Sequence, residues 1–117
     1  AAADAVRRHA DGYAFTIGAM GGEGRNFYNE AFTRLGYGAD VAAVARLWNS
    51  GRRDDARAAV PLDFGRLTNL VGTNSDVAER VSSYRDAGIT TLLAKVDGDY
   101  RSQLATLERL LALIRSD

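Results

Sequence analysis

From Tyr100 to Ile114 the apolar side chains Tyr100, Leu104, Leu107, Leu111 and Ile114 recur at alternating steps of four and three, and Leu110 and Leu113 widen the stripe. That period predicts a helix with one apolar side. A second helical stripe lies upstream in Val77, Ala78, Val81 and Tyr84, opened by Thr73 with Asp76 three residues on and closed by Gly88. The Thr73/Asp76 spacing is that of a capping box, and glycine is the cheapest residue for the left-handed position that ends a helix. Between the two helices, Ile89-Thr-Thr-Leu-Leu-Ala-Lys-Val96 is rich in β-branched residues, and Leu92 to Ala94 are consecutively apolar. This predicts a strand covered on both faces. Helix, buried strand, helix is the repeating unit of an α/β protein. The expectation is a mostly α-helical chain with one substantial strand, Ile89 to Val96, and a short second strand ending near Leu70-Val71.

The N-terminal half reads as helix throughout. Val6, Ala10, Tyr13, Ala14 and Ile17 form a stripe in a helix over residues 1–17 that loosens near Gly12. Gly18-Ala-Met-Gly-Gly-Glu-Gly24 is a glycine-rich loop, followed by a helix over residues 25–35 with Phe27, Ala31 and Leu35 inward and Gly36 at its end. Asp40 caps the next helix, where Val41, Val44, Ala45 and Trp48 face the core. Asp54 and Asp55 open another, with Ala56, Ala59 and Val60 on its apolar side and Pro61 as its stop. Leu62 to Asn69 is irregular or a short helical turn.

Composition narrows the function. The 117 residues are the size of one domain, and 46% apolar with 26% charged is that of a chain that folds. Fifteen basic and fifteen acidic residues cancel without forming blocks, so no electrostatic footprint for nucleic acid or an anionic membrane is present. There is no cysteine, hence no disulfide framework and no thiolate metal site. No apolar run approaches the roughly 20 residues of a membrane span. Arg7, Arg8, His9 and Asp11 interrupt any signal-peptide core. Together these fit a cytoplasmic protein. The sequence opens at Ala1 without methionine, which suggests a processed or excised piece of something longer.

Candidate chemistry is sparse. His9 is the single histidine and has no second ligand at i+3 or i+4, so it reads as an ordinary helix residue. The loop 18–24 before a helix suits a phosphate in principle. It matches neither dinucleotide nor P-loop spacing, and a helix-to-helix turn is the simpler reading. Arg25 and Asn26 sit at the mouth of the following helix, free to meet a ligand.

Several stretches, taken in order, resemble the C-terminal part of the luciferase-like monooxygenase superfamily, in its coenzyme F-420-dependent oxidoreductase branch. They are Gly18-Ala-Met-Gly21 with Asn26-Phe-Tyr-Asn29, then Leu35-Gly-Tyr37, then Gly51-Arg52 with Asp55-Ala56 and Ala59-Val60-Pro61. Val71-Gly72-Thr73 with Val77-Ala-Glu-Arg80, and Tyr84 to Leu92, complete the series. Leu62-Asp63-Phe64-Gly65 departs from the family pattern, where an acidic amphipathic helix is expected. The resemblance implies an α/β fold, the C-terminal portion of a (βα)8 barrel: a helical insertion over about 1–66 and the last strand-helix units over about 67–117. A whole barrel takes roughly 250 residues.

It further implies hydride transfer between coenzyme F-420 or FMN and an organic substrate, with most of the active site on earlier strands. In a barrel the functional groups lie at the C-terminal ends of strands. Here those positions are Gly72, Thr73 and Asn74, and Lys95. Thr73 is either a helix cap alone or a cap that also offers its hydroxyl to the cofactor. Lys95 is a solvated strand-end residue or a cation beside an anionic ligand. No residue is assigned a catalytic role and no metal is expected. The chain alone is expected to hold no cofactor, and its partners are the remainder of the barrel or a second copy in a homodimer. The alternative reading is a non-catalytic helical binding or oligomerisation module derived from that fold.

Overall fold

The structure, a computed structural model, describes residues 2–20 and 25–116. The chain divides into two units, Ala1–Asn69 and Leu70–Asp117. The first contains α1 (Ala2–Ala19), α2 (Phe27–Phe32), a π-helical turn (Thr33–Tyr37), α3 (Gly38–Asn49), α4 (Arg53–Ala59) and α5 (Leu62–Leu67). The second contains α6 (Asn74–Asp86) and α7 (Tyr100–Arg115).

In the first unit α1 runs unbroken through Gly12 and turns Val6, Ala10, Ala14 and Ile17 inward, as its stripe predicts. Val41 and Val44 of α3, Ala56 of α4, and Val60 close the core around it. Trp48 is only half-buried: Phe15 meets its ring edge-on at 5.8 Å and the Arg53 guanidinium lies over it at 4.0 Å. Asp40 stands in the first turn of α3 and is not its cap.

Phe64 organises this core. Phe32 stacks on it at 4.0 Å, and Tyr37 and Tyr13 meet it edge-on at 4.9 and 6.0 Å. Such ring pairs add about 0.5–1.5 kcal/mol beyond the area they bury. The segment left undecided by its sequence is therefore a helix, α5, with Phe64 and Gly65 buried. Gly65 allows the approach: a Cβ there would lie 2.2 Å from the Val6 carbonyl oxygen, so α5 crosses α1 backbone against backbone.

Two expectations in this half need correction. Phe27 and Leu35 are about 70% exposed, and Phe32 takes the buried place. The reason is the break at Gly36 (φ 98°), which ends the regular spiral early so that the face fixed by Phe32 on Phe64 wins. Gly18 and Ala19 belong to α1 and not to a loop. Gly18 is small for packing: a Cβ there would come within 2.1 Å of the Trp48 ring. Residues 21–24 of the expected loop lie outside the described residues.

The predicted strand Ile89 to Val96 is the main error. The described residues contain no β-strand, and residues 89–97 are neither helical nor part of a ladder. Seven of the eight residues from Ile89 to Val96 are exposed, Leu93 at 96%, and Val96 is half-buried. Leu70-Val71 forms no strand either. A strand exists only through lateral pairing of its backbone, and the described residues supply no partner for either edge. The chain by itself is thus helical, with no α/β layer among its described residues.

Candidate functional site

The predicted site residues fall in the second unit. Gly72 (φ 150°) turns the chain into α6, and a Cβ there would sit 2.7 Å from the Asp76 carboxylate. Thr73 is the N-cap of α6 in a complete capping box. The Asp76 carboxylate accepts from the Thr73 N–H at 2.7 Å and from its hydroxyl at 2.8 Å, while the Asp76 N–H donates to Thr73 Oγ1 at 3.2 Å. These bonds hold the Asp76 carboxyl below its ordinary range, the Thr73 backbone N–H contributing most and its side chain next. The Thr73 hydroxyl proton is therefore committed to Asp76, and what it retains is acceptor capacity. Asn74 begins the helix, and the exposed N–H groups of Asn74 and Ser75 make no backbone bond, as expected in a first turn.

Lys95 is exposed in the unpaired segment, and no hydrogen bond or ion pair joins it to the Gly72–Asn74 turn. Gly72, Thr73 and Asn74 thus form one contiguous turn, and Lys95 stands apart from it. No group of three or more His, Cys, Asp or Glu among the described residues is arranged to hold a metal ion. No helix among them is long and apolar enough to cross a membrane.

Asn26 is not free for a ligand. Its amide donates to the Thr16 and Ile17 carbonyls at 2.9 and 3.1 Å, and its Oδ1 caps α2 by accepting from Tyr28 and Asn29 N–H. Asn29 donates to the same Ile17 carbonyl at 3.1 Å. This pair ties the start of α2 to the end of α1, where unpaired carbonyls need donors. The spacing of Asn26 before an apolar run could have been read as a cap. Arg7 gave no such signal. Its guanidinium donates to the Arg57 and Val60 carbonyls, at 2.9 and 3.1 Å and 50 and 53 positions away, and pairs with Asp11 at 2.5 Å.

Comparison with known proteins places the chain. The luciferase-like monooxygenase family matches residues 1–91. A Mycobacterium tuberculosis protein named as a coenzyme F-420-dependent oxidoreductase is 31% identical over 80 residues, which are 68% of this chain and 23% of that protein. The chain thus spans less than a quarter of that relative's length in the matched part. No solved structure matches it. The family match takes in α1 to α6, including the Asn26 cap of α2 and the Thr73 box, and the chain belongs to the luciferase-like monooxygenase family.

Proposed function

We propose that this chain is part of an oxidoreductase that moves hydride between coenzyme F-420 or FMN and an organic substrate. The observation that carries the reading is the 31% identity to the mycobacterial protein named for coenzyme F-420, over two thirds of the chain. When bound, the deazaflavin or flavin supplies the hydride chemistry, and the protein's part is to bind and orient it.

The residues of the Gly72–Asn74 turn suit a supporting role. Gly72 leaves room for the Asp76 carboxylate that closes the turn, and the open N–H groups of Asn74 and Ser75 suit an anionic oxygen. Asp76 opposes this with its own negative charge at the same helix end, so a phosphate there needs a nearby cation. Lys95, which stands apart from the turn in this chain, is the residue we assign to that task in the whole protein. The test uses the product of the whole reading frame that encodes this chain: Lys95→Ala weakens coenzyme F-420 binding about tenfold while leaving the thermal midpoint unchanged. Unchanged affinity contradicts the assignment of Lys95.

A second reading, a non-catalytic helical module that works by assembly, is favoured by one feature. No residue of the 16-residue helix α7 is buried, although its apolar stripe is continuous.

A further inference from the structure

Burial is divided unequally along the chain. Among the described residues the buried apolar side chains run from Val6 to Phe64, and Val81 is the single one beyond. The core cluster draws on every α-helix of the first unit, with all its members between Ala10 and Phe64. The polar ties close over the same stretch. Arg7 donates to the Arg57 and Val60 carbonyls, which fastens α1 to the corner between α4 and α5. Asn26 donates to the Thr16 and Ile17 carbonyls, and the Tyr37 hydroxyl donates to the Asp63 carboxylate at 3.3 Å. At Gly65 the last helix of the unit lies against the backbone of the first, so the unit is closed on itself before Leu70.

We infer that the first unit, Ala1–Asn69, is an independently cooperative block that keeps its fold when the second unit opens. Burial of apolar surface and long-range ties are what make a stretch of chain resist opening, and both are complete within the first unit. The second unit has neither in that measure. Its helices α6 and α7, of 13 and 16 residues, bury one side chain and none. Helices of roughly 12–15 residues are marginal in water unless an apolar face is packed. Gly72, Thr73, Asn74 and Lys95 all lie in this second unit. On the cofactor reading, the groups that meet the ligand therefore belong to the part of the chain that opens first, and the core of the first unit is undisturbed when they move. The division itself rests on burial and not on that reading.

Trp48 is the single tryptophan and lies in α3, so its fluorescence follows the first unit. Val81→Asp places a charge at the one buried position of α6 and takes away what holds the second unit. In urea unfolding of the full 117-residue chain, Trp48 emission is expected to show one cooperative transition, whose midpoint in Val81→Asp stays within about 0.3 M of the original. Hydrogen exchange read by mass spectrometry is expected to find α6 unprotected in that variant, and α6 and α7 of the unaltered chain exchanging about tenfold faster than α1 and α3, or more. A Trp48 transition that is absent, or that Val81→Asp abolishes or moves further than this, overturns the inference. Protection of α6 that survives Val81→Asp, or protection of α7 closer than tenfold to that of α1 in the unaltered chain, overturns it as well.

Discussion

The rings of Phe32 and Phe64 lie face to face, with centroids 4.0 Å apart and planes 13° from parallel. This contact joins α2 to α5 across 32 positions of sequence and sets which face of each turns inward. Phe64 is 1% exposed, and three aromatic rings surround it. Truncation to Phe64→Ala is expected to cost about 3–5 kcal/mol in a urea melt of the first unit. A loss under about 1 kcal/mol would remove Phe64 from the centre of the core.

Two glycines in helices are expected to respond with opposite sign. A Cβ at Gly65 meets the Val6 carbonyl oxygen at 2.2 Å, and backbone cannot step aside cheaply, so Gly65→Ala should destabilise by about 1–3 kcal/mol. Gly12 has open space around it in the middle of α1, so Gly12→Ala should stabilise by about 0.5–1 kcal/mol. Equal effects at the two positions, read from thermal midpoints, would contradict the crossing of α5 on α1.

At the start of α6, Thr73→Ala removes an N-cap and should lower the stability of that helix by about 1 kcal/mol. The pH dependence follows from Asp76 and Asp99. The Asp99 carboxyl is lowered by the Ser102 N–H and then its hydroxyl, as Asp76 is by Thr73. Because the folded values lie below the ordinary 3.8, both groups contribute stability above that pH and lose it as the pH falls through the folded values. Helix content of the second unit should be level from pH 7 to about 5 and decline below about 4. Asp76→Asn should blunt that decline, and an undiminished decline in that variant would show that Asp76 is not its source.

Amide hydrogen exchange tests the unpaired segment. Ile89 donates its N–H to the Tyr84 carbonyl at 3.0 Å, and no backbone bond follows until α7. Exchange from Thr90 to Val96 should be fast, with α1 and α3 slow. Slow exchange across Leu92 to Lys95 would show that these groups are paired.

The contrast between α6 and residues 89–96 explains what could be read from sequence. The Thr73–Asp76 box, the Val77–Tyr84 stripe and the turn at Gly88 are local, so each carries its own evidence in adjacent letters. Helices α1, α3 and α4 were legible on the same ground. The β-branched run at Ile89 records an apolar, extended preference, but a strand is a relation between two segments and no second one is present among the described residues. Phe64 was missed because its burial is decided by Phe32, Tyr13 and Tyr37, not by neighbours. At the candidate site the turn Gly72–Asn74 followed from the cap signature. The position of Lys95 depended on the strand, and it went with it.

The central claim, that this chain carries part of a cofactor site and not a whole one, is tested most directly by fluorescence titration of coenzyme F-420, with FMN in parallel. The samples are the purified 117-residue chain and the product of the whole reading frame that encodes it. The account predicts no saturable binding to the isolated chain up to about 100 μM, because one turn and one lysine cannot offset the cost of fixing a ligand. It predicts saturable binding of coenzyme F-420 or FMN to the product of the whole frame. Micromolar binding by the isolated chain, or no binding of either cofactor by the product of the whole frame, would contradict it.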